Sequence, residues 1–217
     1  MKILFQGDSI TDGGRIKNNT WDLNHQMGHG YASIINSYLG TKYPEKNLEF
    51  VNRGISGNRI SDLYGRWKED TLAHNPDVIS ILIGVNDVFS QKFDGAGSEY
   101  DRFKKIYRLL IEEAKEQNPE VKFVLLEPFM LPVADKVDNF NEYVFFLEPL
   151  QKAVKEIAEE FNAVFVPLQE KFNEVAQKYG ADYWIWDGVH PTVCGHQIIA
   201  DEWIKICNNS ILFDIEN

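Results

Sequence analysis

Ile3-Leu4-Phe5-Gln6-Gly7-Asp8-Ser9 carries the reading of the fold. Three consecutive apolar residues ended by a glycine predict a short strand over about 2–7, buried on both faces as in a parallel sheet. Ser9 follows the carboxyl end of that strand, where open parallel sheets bind ligands. A serine there is a candidate nucleophile, although Asp-Ser is equally ordinary chemistry for a turn or a helix N-cap.

The same unit recurs down the chain. Leu48, Phe50 and Val51 predict strand two, which ends in the turn Asn52-Arg53-Gly54-Ile55-Ser56-Gly57-Asn58. Strand three is Val78 to Ile83 and stops at Gly84-Val85-Asn86-Asp87. Strand four is Phe123 to Leu126 and strand five is Val164 to Val166. Between them, apolar residues at helical spacing mark Tyr31–Leu39, Ile60–Trp67, Phe103–Ala114 and Leu150–Phe161, with Pro149 placed at a helix first turn. Two further helices are expected over about 168–178 and 193–207. The stretches 11–30 and 88–98 read as long loops, and Ile211-Leu212-Phe213 as a tail over a subunit contact. Strand–helix alternation predicts an α/β fold, a parallel sheet with helices on both faces, in a single domain spanning 1–217.

Composition narrows the function classes. The chain has 217 residues, 44% hydrophobic and 25% charged, which excludes a disordered or fibrous protein. A formal net charge of -11 disfavours nucleic acid and anionic membrane surfaces as partners. Cys194 and Cys207 offer no disulfide framework and are expected to be core thiols. Neither a secretory leader nor a transmembrane run is present, so a cytoplasmic location is expected.

In a parallel sheet the turns after strands one, two and three share one edge. They would bring together a hydroxyl nucleophile (Ser9), a glycine whose backbone N–H a substrate can approach (Gly57) and an amide donor (Asn86). The base must come from elsewhere. Asp187-Gly188-Val189-His190-Pro191 places an acid three residues before a histidine, so Asp187 can orient His190 and His190 can deprotonate Ser9.

With these four blocks in order, the chain resembles the SGNH-hydrolase, or GDSL esterase, superfamily. The resemblance implies a flavodoxin-like three-layer α/β/α fold with strand order 2-1-3-4-5. It implies Ser9 as nucleophile, His190 as base, Asp187 as its orienter, and an oxyanion hole of the Ser9 and Gly57 N–H groups and the Asn86 side chain. Ile10 stands where the family name has leucine. The stretches Gly7–Asp12, Asn52–Asn58, Arg66-Trp67-Lys68-Glu69-Asp70 and Trp186–Pro191 resemble the bacterial intracellular serine acetylxylan esterases. That narrower likeness implies removal of acetyl groups from xylan-derived oligosaccharides by a homo-oligomer, with no cofactor or metal.

Asp8, Trp186 and Trp184 are candidate substrate contacts, the tryptophans as stacking faces for a sugar. Trp67 and Trp203 sit on helical faces and are expected in the core; Trp21 falls in the first long loop. Asp12, Asp87 and His190 invite a metal reading, but no histidine spacing supports one beyond His25-x-x-x-His29 in a glycine-rich loop. Glu127 and Arg59 lie at strand ends without an assignable role. The competing readings are a broad short-chain esterase, thioesterase or acyltransferase with the same triad, a carbohydrate-binding module that lost the chemistry, and a flavin-binding module. Acidic residues in the first turn suit a flavin phosphate poorly.

Overall fold

The computed structural model describes residues 1–17 and 23–208. The chain runs β1 (Lys2–Gly7), α1 (Ser9–Asp12), α2 (Leu23–Gln26), α3 (Tyr31–Lys42), β2 (Glu49–Asn52), α4 (Ile60–Gly65), α5 (Trp67–Asp70) and β3 (Val78–Leu82). It continues through α6 (Val85–Phe93), α7 (Tyr100–Gln117), β4 (Lys122–Leu126), α8 (Phe140–Glu160), β5 (Val164–Val166), α9 (Gln169–Tyr179) and α10 (Val193–Cys207). All strand pairs are parallel, as the strand–helix alternation predicts, and the order is β2-β1-β3-β4-β5, as the family resemblance implies.

Alternation along the strands sorts side chains between two helical layers. Phe5 and Ser80 are register partners on neighbouring strands. Phe5 meets Tyr31 of α3 and Trp203 of α10, and the Trp203 indole N–H donates to Ser80 Oγ at 3.0 Å. One layer is therefore α3 with α10. Right-handed crossovers put the helices leading to β3, β4 and β5 on the other face, where α7 packs against both α4 and α8. Central strands β1 and β3 are buried almost throughout, whereas edge strands β2 and β5 are partly exposed. One hydrophobic cluster spans both sides of the sheet. Among the described residues, no helix is long and apolar enough to cross a membrane.

The order 2-1-3 reverses the direction of winding at β1. A crevice opens there between the carboxyl ends of β1 and β3, and the turns of interest face it.

Several expectations need correction. Pro149 is not in a first turn; it lies inside α8, which begins at Phe140. Tyr143 and Leu147 extend the buried stripe of Leu150 and Val154 backwards by whole turns, and that packing outweighs the missing N–H of one proline. The carbonyl freed four residues earlier belongs to Phe145, on the exposed face. Half of the 88–98 loop is α6, whose Val85 and Val88 are buried. The 11–30 stretch holds the end of α1 and the short helix α2. Cys207 is buried, but Cys194 is only half-buried, near the Tyr183 hydroxyl. Trp67 and Trp203 are core residues, as expected. Trp21 and the 211–213 tail lie outside the described residues.

Candidate active site

Ser9 is the first residue of α1. Asp8 caps this single turn, its Oδ1 accepting from the Ile10 N–H at 3.0 Å. The arrangement holds Ser9 at the strand-to-helix corner, where its Oγ lies 2.8 Å from His190 Nε2. His190 Nδ1 lies 2.7 Å from Asp187 Oδ2. The predicted nucleophile, base and acid thus touch in series.

The acid and base share a tightly folded excursion. Trp186 N–H donates to His190 O and Thr192 N–H to Trp184 O, closing the loop on itself. Within it, Asp187 Oδ1 accepts from the Val189 and His190 N–H groups at 3.0 and 2.8 Å. Partial burial alone would raise the Asp187 pKa. These backbone bonds and the imidazole outweigh it and hold the carboxyl below its ordinary value. Gly188 has a φ of +91°, and a Cβ there would meet Lys136 Cδ at 2.6 Å, so the loop needs a glycine. Leu131 N–H donates to Gly188 O and anchors the excursion to the chain beyond β4.

The second and third turns face Ser9 across the crevice. Gly57 is exposed with φ +83°, and a Cβ there would meet nothing within 4 Å, so its backbone is open to a ligand. Asn86 is the second residue of α6, just past β3, and its Nδ2 donates to Asn58 O at 3.0 Å. One amide hydrogen ties the third turn to the second, leaving the other for a ligand.

Buried and half-buried polar residues that sequence reasoning did not assign hold these turns. Asp12 accepts from the Arg15 N–H and, through Oδ2, from the Ser56 N–H at 3.1 Å, immediately before Gly57. Asn52 donates to Thr11 O and Met27 O and accepts from Gly54 N–H. Arg66 reaches Gly7 O, Arg53 O and Asn58 Oδ1, so one guanidinium spans the first two turns. Asp87 accepts from the Ile60 and Ser98 N–H groups at 2.9 and 3.0 Å, fixing the start of α4 against α6. All four fall within the quoted motif stretches, but only Asn52, Asp12 and Asp87 lie at or shortly after a strand end; Arg66 sits between α4 and α5, and nothing local marks what it holds.

The remaining candidates separate. Trp186 is 61% exposed and stacks on the His190 ring, with centroids 5.5 Å apart and planes at 21°. Trp184 is half-buried, and its indole N–H donates to Val175 O, tying the ring to α9. Asp8 is buried, and that burial pushes its pKa up to about 7. Glu127 caps α9 by accepting from the Leu168 and Gln169 N–H groups. Arg59 pairs with Asp62 at the start of α4. His196 faces the base from α10; burial pulls its pKa down to about 4, and its Nδ1 accepts from the Tyr31 N–H. Among the described residues, no three His, Cys, Asp or Glu side chains converge as a metal site would require.

Such a site on such a sheet defines a class. Residues 5–198 match the GDSL-like lipase/acylhydrolase family, and the chain belongs to it. The protein is a serine carboxylic-ester hydrolase. Its sequence is 38% identical to an acetylxylan esterase of Geobacillus stearothermophilus, over 94% of this chain and 92% of that one. The crystal structure of that esterase, Axe2, superposes with a TM-score of 0.81 at 37% identity, covering 94% of this chain and 92% of the other. A candidate GDSL-like lipase from Parabacteroides merdae gives 0.87 at 36% identity, with 94% of both chains covered.

Proposed function

We propose that the protein removes acetyl groups from xylan-derived oligosaccharides through an acyl-enzyme on Ser9. The carrying observation is the unbroken series Ser9 Oγ, His190 and Asp187 at 2.8 and 2.7 Å. His190 Nε2 takes the hydroxyl proton as Ser9 Oγ attacks the acetyl carbonyl. The developing oxyanion is held by the Ser9 and Gly57 N–H groups and the free Asn86 amide hydrogen. Collapse expels the sugar oxygen, which takes the proton from His190. A water deprotonated by His190 then attacks the acetyl-enzyme and releases acetate, restoring Ser9. Asp187, held ionised by its N–H donors, stabilises the imidazolium and fixes the tautomer.

Support for a sugar ester comes from the acetylxylan esterase likeness and from Trp186. One face of its ring stacks on the base and the side chain stays largely in solvent, free for a pyranose. We further read the protein as a single-domain, cytoplasmic homo-oligomer. The test is a panel of 4-nitrophenyl esters of increasing acyl length, acetylated xylo-oligosaccharides and acetyl-CoA. Preference for acetate on the saccharide supports the reading. Faster turnover of long acyl chains or of the thioester overturns it.

A further inference from the structure

Arg15 is a buried charge that this chemistry leaves unused. It is 8% exposed. Its Nε donates to Gly54 O at 3.0 Å, while Nη1 and Nη2 have no acceptor and no ion-pair partner among the described residues. Four guanidinium hydrogens of a nearly buried residue are thus left without a protein acceptor, available to whatever occupies the space beside them.

They border open space. Arg15 lines a cavity of about 290 Å³ that also contains Ser9, Asp12, Lys17 and Ser56. It equally lines one of about 390 Å³ whose walls include Lys17, Asn52, Arg53, His74 and Phe50. Arg15 and Lys17 are common to both, so the larger cavity adjoins the one beside the nucleophile at these two side chains. None of the described residues lining it is acidic, in a chain whose formal net charge is -11. Lys17 pairs directly with Asp12 at 3.1 Å and Arg53 with Asp70, whereas Arg15 feels both carboxylates only at longer range, with no direct ion pair among the described residues. Burial, with repulsion from Arg53, pulls its pKa below the ordinary value.

Resting on the esterase reading above, we propose that Arg15 receives a carboxylate carried by the substrate itself, a uronic acid residue on the same oligosaccharide whose acetyl group lies at Ser9. A planar guanidinium fork matches a carboxylate with two parallel hydrogen bonds and neutralises it, which a neutral hydroxyl would not do. The larger cavity is in the range that takes one small ligand group such as a pyranose. The protein would therefore select acidic over neutral acetylated xylo-oligosaccharides.

The experiment is equilibrium binding of a deacetylated xylo-oligosaccharide with a glucuronic acid branch, against the same oligosaccharide with that carboxyl reduced to an alcohol. The acid is expected to bind about tenfold more tightly at low salt, equivalent to about 1.4 kcal/mol. The gap should narrow as salt rises. In Arg15→Gln it should close to within about twofold. Should that variant fail to fold, Lys17→Gln, which borders both cavities, must also narrow the gap. Equal affinities in the unmodified protein, or a gap unchanged in the folded variants, overturns the proposal. So does competition by inorganic phosphate as strong as that by the saccharide. Because the readout is binding, a protein that hydrolyses 4-nitrophenyl acetate without preferring the acid defeats this inference alone. One that prefers the acid but turns over no ester defeats the hydrolase reading alone.

Discussion

Asp187 and Asp87 are both aspartates just beyond the sheet, and both accept two backbone N–H groups. Yet their chemistry diverges. Asp187 sits in an excursion open to solvent, where two N–H donors and an imidazole outweigh desolvation and keep it ionised. Asp87 is fully buried, and desolvation wins over its donors, pushing its pKa up to about 6. Asp8, next to the nucleophile, goes further, to about 7. Hydrogen bonding is similar in kind; water access decides whether a carboxylate orients a base or pins backbone.

The contrast can be broken at several points. Its catalytic side yields the largest effects. Ser9→Ala should lower kcat on 4-nitrophenyl acetate by about 10⁶-fold while leaving the thermal midpoint near that of the parent. Near-parental turnover would remove Ser9 from the mechanism. Asp187→Asn should cost about 10⁴ in kcat, since an amide cannot hold the imidazole in the required tautomer. Asn86→Ala removes one oxyanion donor, for a loss on the order of 10²–10³ in kcat with KM little changed.

The structural side should respond in stability. Asp87→Ala orphans two buried N–H groups and should destabilise the fold by about 2–4 kcal/mol in denaturant unfolding. The smallest effect separates the two kinds of carboxylate by pH. Asp8 binds its proton more tightly folded than unfolded, since its pKa rises from 3.8 to about 7. Its contribution to stability is therefore full below about pH 4 and is lost as pH climbs towards 7. Relative to the parent, Asp8→Asn should gain stability progressively as pH rises through that window, read as the difference between two melting curves. A difference independent of pH would mean that Asp8 does not titrate there.

The sheet could be read from residues because each parallel strand leaves a short apolar run stopped by glycine, proline or a polar turn, a local signal. Pro149 and α6 escaped for the opposite reason. Whether a helix continues through a proline, or starts at once after Gly84, depends on the core that its side chains find. The triad residue types were visible as motifs. Asp12, Asn52 and Arg66 fell inside motif stretches too, but their role in holding those turns was not visible, since each acts on backbone groups many residues away.

By itself, the amino-acid order determined the strands, the glycine turns and the identity of the reacting groups, because each depends on chemistry within a few residues. The tertiary structure alone decided that Ser9 and His190, 181 residues apart, lie 2.8 Å from each other. It also decided which carboxylates stay wet and which guanidinium is left facing a cavity. Those outcomes depend on the distance and water that the folded chain puts between groups, and neither quantity is written in local sequence.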